Sequence, residues 1–296
     1  MTPFLSELGK KLAEKWLSLL VLPGLLYLAT IWTGWTLGHQ HWYKLDELVK
    51  SITNVRNALS AADTATLMVA LPALLLLAAG VGILASGAAS VVELVWAGLW
   101  PRPLAWCERV LFRRNARWLR ATRLYEAEVI KNTADQDLSA RDRYAARRNR
   151  IALAEPTRST WIGDQYNATE TRIRTEYSMD LPSVWPRLWM VIPEEARAEL
   201  RSARATFDSA TSLAGWGVCY LLVGALWWPA ALAGILVLAA GWRRGRLAGR
   251  LLAFLIESTV DLYGYTLAEQ LGLASNDRRF TRSMGESITV MMRKGA

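Results

Sequence analysis

Histidine and cysteine are scarce in this chain, with two of each among 296 residues. The cysteines, Cys107 and Cys219, stand far apart, one in a basic segment and one inside an apolar run. That spacing excludes a disulfide framework and a cysteine-rich metal site, and both read as inert small side chains. The histidines, His39 and His41, share one short stretch, so none is left elsewhere for a Ser-His-Asp or Cys-His centre. Two ligands at that spacing fall short of a closed metal site, even with Asp46 or Glu47 close by. The phosphate-cradling patterns G-x-x-x-x-G-K-[ST] and G-x-G-x-x-G are both missing. No strand-length alternation and no repeat is present. The paired acids Glu126 with Glu128 and Asp135 with Asp137 read as solvated helix-end or loop acids. These absences lead us to expect no enzyme, no cofactor and no metal.

Charge is absent from three long stretches, Trp16–Tyr43, Thr64–Val92 and Ser209–Trp242. Each exceeds the ~20 apolar residues that a membrane-spanning helix needs. The first is too long for the ~7–15-residue core of a signal peptide, so it reads as a retained span. One straight helix through Ser209–Trp242 would be about 50 Å long, against a hydrocarbon core of about 30 Å. Trp227-Trp228-Pro229 divides that stretch, and tryptophans favour the membrane–water interface. Two short spans joined by a tight turn are therefore expected. Thirteen to fifteen residues reach only about 20–22 Å, so a re-entrant hairpin is the alternative.

What is present is basic charge, a formal +9, and it is unevenly placed. Lys10, Lys11 and Lys15 precede the first apolar stretch; Arg201 and Arg204 precede the last, and Arg243, Arg244 and Arg246 follow it. The region from Pro101 to Asp208 is rich in Arg, whereas Lys44 to Asp63 carries equal numbers of acids and bases. Cytoplasmic flanks are enriched in Lys and Arg. The expected class is an all-α integral membrane protein with four transmembrane helices in two hairpins and a helical cytoplasmic domain. In order, it has an amphipathic N-terminal segment over 1–15, a first span over 16–38, an extracytoplasmic loop over 39–63 and a second span over 64–92. A basic helical cytoplasmic domain covers 93–208. The third and fourth spans cover 209–228 and 229–242, followed by a cytoplasmic helix over 243–274 and a flexible basic tail over 275–296. Both termini lie in the cytoplasm.

Local patterns refine this outline. Pro23 should kink the first span. Ala78, Gly82, Ser86 and Ser90 recur at every fourth position and form a small-residue face on which helices can approach closely. Glu93 lies near the inner end of the second span, with Arg102 as its expected ion-pair partner. Leu104 to Ile130 and Arg141 to Arg150 read as basic helices. Arg113, Arg114 and Arg117, with Arg243, Arg244 and Arg246, are the expected contacts to anionic lipid heads. Glu155 to Asp164 reads as a loop, followed by a helix to Tyr177; Asn167-Ala168-Thr169 fits a glycosylation pattern on the wrong side of the membrane. Three prolines make Asp180 to Pro193 an irregular segment anchored by Trp185 and Trp189, as Trp227 and Trp228 anchor the hairpin. Leu252, Ile256, Val260, Tyr263, Leu267 and Leu271 alternate spacings of four and three, one face of a helix that Gly272 should end.

The opening LGKKLAEKWLSLLVLPGLLYLA, the block PTRSTWIGD and the run DLPSVWPRLWMVIPEEARAEL with its Trp-Trp-Pro hairpin resemble a family of uncharacterised multi-pass membrane proteins of actinobacteria. The resemblance implies a bacterial plasma membrane and carries no functional residues. Two roles fit the residues. One is a non-enzymatic membrane scaffold or sensor whose cytoplasmic domain binds a protein partner or a second copy. The other is a homo-oligomeric pore-forming or membrane-perturbing effector. An anionic inner leaflet is the expected lipid partner, and no nucleic acid is expected.

Overall fold

Long stretches of strong helix formers make most of the described residues helical. A computed structural model describes residues 7, 21–40, 43–99, 105–131, 138–152, 155–273 and 278–293. Among these there are ten α-helices and no strand. They are α1 (Leu22–Leu37), α2 (Leu45–Ala61), α3 (Thr64–Ala97), α4 (Ala105–Lys131) and α5 (Leu138–Ile151), then α6 (Trp161–Tyr177), α7 (Leu181–Val191), α8 (Glu194–Val223), α9 (Trp228–Gln270) and α10 (Arg282–Arg293). Two of them, α3 and α9, are long and apolar enough to cross a membrane. Apart from Glu7, the segment 1–15 lies outside the described residues, as do Arg102, His41, Asp135 and Asp137.

The chain divides into two compact units, each built from two separate stretches. The first comprises Met1–Val92 and Ala210–Arg243. Small residues set its packing. A Cβ on Gly24 of α1 would run into the backbone carbonyl of Ala78. One on Gly215 of α8 would stand 2.7 Å from Ala89 N and 2.8 Å from Ala85 O. Tyr27 of α1 donates to the Cys219 carbonyl over 3.2 Å. The expected hairpin is present within this unit: α8 ends at Val223, the chain turns through Gly224–Trp227, and α9 starts at Trp228. A Cβ on Gly234 would lie 2.8 Å from Leu221 N, so the two arms touch along their backbones. The turn falls just before Trp228-Pro229. Trp228 thus belongs to the second arm rather than ending the first, because proline suits the first turn of a helix, where its missing N–H costs nothing.

One expectation for this unit needs correction. The loop over 39–63 contains α2, whose first turn carries Asp46 and Glu47, acids that favour a helix N-terminus. Pro23 stands in the first turn of α1, two residues after Val21, which is itself in π-helical backbone; the residues before Val21, where a kink in the first span would be read, lie outside the described residues.

The second unit comprises Glu93–Ser209 and Arg244–Ala296. Its core gathers Ile173, Val184, Leu188, Ile192, Leu200, Leu252, Val260, Leu267, Met284 and Ile288. The stripe from Leu252 to Leu271 faces this core as its spacing required. Gly272 ends α9 with φ +74°, its N–H reaching Glu269 O while Leu273 N–H reaches Ala268 O. That pair of bonds is the Schellman arrangement that glycine permits.

Three expectations for this unit are overturned. Asp180–Pro193 is not irregular: residues 181–191 form α7 despite Pro182 and Pro186. Pro182 occupies the first turn, and the burial of Val184, Leu188 and Ile192 at every fourth position outweighs the one bond lost at Pro186. The loop at Glu155–Asp164 ends early, because Thr160 caps α6 by accepting the Gly163 N–H at 3.0 Å and so starts the helix at Trp161. The tail expected to be flexible over 275–296 holds α10, whose Met284 and Ile288 are buried in the core one helical turn apart. Thr289 Oγ1 accepts the Asp180 N–H at 3.0 Å, and Arg293 lies 3.3 Å from Asp180 Oδ2.

Candidate functional site

The first turn of α6 organises a cationic region of the second unit. Asp164, buried on that turn, accepts the N–H groups of Thr157 at 3.0 Å and Arg158 at 2.7 Å. Its other oxygen lies 2.7 Å from Arg114 Nη2. Arg114 also donates to the carbonyls of Arg158 at 3.0 Å and Ile151 at 2.8 Å. One ion pair therefore pins α4, the end of α5 and the 155–160 loop to the start of α6. Burial pushes Asp164 above the usual carboxylate range, with the two backbone donors and Arg114 acting against it. Burial likewise lowers Arg114, and Asp164 opposes that.

Beside this node Trp161 and Gln165, one turn apart on α6, are both more than nine-tenths buried. Neither Trp161 Nε1 nor Gln165 Nε2 has a hydrogen-bond partner among the described residues. Arg246 and Arg250, also one turn apart, on α9, lie over the Trp161 ring, their guanidinium carbons 4.4 and 5.2 Å from its centroid. Burial and the like charge of Arg250 press Arg246 below the usual guanidinium value. Asn149 and Arg150 of α5 complete the wall of a cavity of about 380 Å³. No carboxylate lines it.

A second cavity, of about 370 Å³, is lined by Trp185, Trp189, Leu200, Arg204, Leu252 and Ile256. Its two lining arginines, Arg201 and Arg204, are both paired with acids, Arg201 with Glu194. Arg204 lies 2.6 Å from Glu93 and 2.9 Å from Asp208. Among the described residues Glu93 pairs with Arg204; Arg102, the expected partner, lies outside them. Tyr166, half-buried against Phe207, is pushed up to about 12 by desolvation.

The residues singled out in the sequence are distributed unevenly. Arg113, Arg117, Arg243 and Arg244 are exposed. Arg114 differs from these: it is largely enclosed, with donors directed to Asp164 and two carbonyls. Arg246 sits over Trp161 instead of lying free. Of the small-residue row, Ala78 and Gly82 are buried whereas Ser86 and Ser90 are exposed, their hydroxyls donating to carbonyls one turn back. The covered row runs Ala78, Gly82, Ala85, Ala89, Val92. A strict step of four advances about 40° too far each time on a helix of 3.6 residues per turn, so the serines rotate off the packed face. Trp185 and Trp189 are half-buried on the core of the second unit, ring centroids 6.1 Å apart. Trp227 is half-buried and Trp228 exposed.

Sequence reading missed Trp161, Gln165 and Arg250. The signal was there: Arg246 and Arg250 share a helical face, and Thr160 before Trp161 marks a helix start that places Gln165 one turn on. No family model, curated protein or solved structure matches this chain.

Proposed function

We propose that this chain is an integral membrane protein with four spans and both termini in the cytoplasm. On this reading it serves as a non-enzymatic scaffold or sensor whose second unit is a cytoplasmic receiving domain. The observation that carries the membrane reading is the state of α3. Only 17% of its most apolar 18-residue window is buried. Met68, Val69, Leu71, Leu76, Leu77 and Leu84 are all open. A soluble core helix covers such residues, and an exposed apolar belt of this extent needs lipid to cover it. α2 adds to this support, since Val49, Ile52, Val55 and Leu59 lie uncovered on a helix bounded by charge, as on a helix resting in the membrane interface. α8 and α9 continue past their apolar parts, so each helix as a whole exceeds the length of a span, which supports the hairpin reading.

The scaffold reading rests on the second unit, which has its own core and two cavities while the motifs of catalysis are missing from the sequence. The pore reading has less behind it, because Ala78 and Gly82, half of the row that would line or seal a pore, are covered within the chain itself.

Alkaline carbonate extraction of membranes carrying the full chain tests the proposal. The protein should stay with the lipid pellet and need detergent for release. Recovery in the carbonate supernatant would overturn it. Cysteines placed at Arg244 and at Arg56 then test the sidedness: only the one at position 56 should react with an impermeant maleimide applied to intact cells.

A further inference from the structure

Arg246, half-buried, and Arg250, exposed, place like charges one turn apart on α9, a mildly unfavourable arrangement on a helix, and it is attraction to the buried Trp161 ring that keeps both guanidinium groups there. Neither they nor Arg150 forms an ion pair among the described residues. Below them are two buried donors with nothing to bond to, the Trp161 indole N–H and the Gln165 amide. An unpaired buried donor is costly, and native proteins rarely leave two together unless a ligand or water completes them. The cavity thus offers cations and donors and no acid, the inverse of a cation site. Stacking on Trp161 holds the two guanidinium planes in place in advance, which lowers the entropy lost when they grip a ligand.

We propose that the cavity bounded by α5, α6 and α9 is a binding site for a phosphate-bearing anion. Arg246 and Arg250 contribute the charge, Gln165 and Trp161 the fixed donors, and Arg150 with Asn149 the mouth. Donor-bearing side chains from three helices line it, which suits the several oxygens of a tetrahedral phosphate better than the two coplanar oxygens of a carboxylate. Guanidinium forks match phosphate oxygens in pairs. The volume, about 380 Å³, exceeds what a bare oxyanion fills and lies in the range of small-ligand sites, leaving room for the alcohol of a phosphate ester. The phosphate belongs either to a soluble ester or to a lipid head. Only the lipid source depends on the membrane reading above; phosphate capture itself does not.

The test uses the full chain purified in dodecyl maltoside, with thermal melting and calorimetry as readouts. The probes are inorganic phosphate and dihexanoyl phosphatidylglycerol. A saturable rise in melting temperature is expected with at least one of them. A response to inorganic phosphate assigns the free anion, and a response to the lipid alone assigns the head group; either supports the site. Apparent affinity should fall at least tenfold in R246Q/R250Q and about tenfold in Q165L, which keeps the side-chain volume and guards against a folding defect. The exposed pair R120Q/R123Q on α4 should bind as the parent does. A response to neither probe would overturn the proposal, as would an equal loss in R120Q/R123Q, which would reduce the effect to general basic attraction. Carbonate extraction of the same variants keeps a failure here distinct from a failure of membrane integration.

Discussion

Arg114 and Asp164 meet at 2.7 Å inside the second unit, and between them they hold two carbonyls and two backbone N–H groups that would otherwise be unpaired. A buried pair of this kind contributes less through attraction than through what its loss would strand. Arg114→Met leaves a carboxylate enclosed without its cation and should cost about 3–5 kcal/mol. Asp164→Asn keeps an acceptor for Thr157 and Arg158 and should cost about 1–3 kcal/mol. Thermal melting in detergent should show that order; the opposite order would assign the main role to the loop's hydrogen bonds. The pH response carries a definite sign. Because the folded value of Asp164 is raised, its protonation favours the folded form, and that benefit is lost as pH rises through the raised value. The Arg114→Met defect should therefore shrink on acidification.

Gly215→Val should disrupt the first unit. Its side chain would enter the backbone of α3 at Ala85 and Ala89, and overpacking of this kind costs about 1–3 kcal/mol or more. Ser90→Leu, on the open side of α3, should change stability by less than about 0.5 kcal/mol. A strong effect of Ser90→Leu on oligomer size, with Gly215→Val tolerated, would move the packing face to a contact between copies.

Ile288 is fully buried on α10. Its replacement by Ala should cost about 2–5 kcal/mol, measured by chemical denaturation. A negligible effect would return the segment to the loose tail expected from its polarity.

Asp180 links α10 to α7. Ser183, followed by Arg293 and Arg174, holds its carboxyl below the usual carboxylate range. A depressed value gives stability that is present above the unfolded value of about 4 and is lost as pH falls through the folded one. Melting curves from pH 7 to pH 3 should therefore fall less steeply for Asp180→Asn than for the parent, and parallel curves would deny Asp180 that role.

Helices were legible wherever periodicity and punctuation agreed. The stripe from Leu252 to Leu271 and its stop at Gly272 are the clearest case, because burial and the left-handed glycine enforce the same register. The hairpin was legible from Trp227-Trp228-Pro229 to within a few residues. Reading failed where one strong local signal hid a weaker collective one. Prolines in residues 181–191 masked Val184, Leu188 and Ile192, which only tertiary burial makes decisive. The serines of α3 shared a composition pattern with the true packing face but not its angle. The cationic cavity was the least visible feature, since its members come from α5, α6 and α9, and their convergence is set by the tertiary fold rather than by proximity in the chain.

The interleaving of the two units has a practical outcome for anyone wishing to cut the molecule. A fragment spanning residues 93–209 carries Ile173, Val184 and Leu188 but leaves behind Leu252, Val260, Leu267 and Ile288, the other half of the same core. Expressed alone, it would present a bare greasy surface and precipitate. A usable excision must retain residues 244–296 and splice them on with an artificial linker, so the molecule is divisible by engineering but not by a single proteolytic nick.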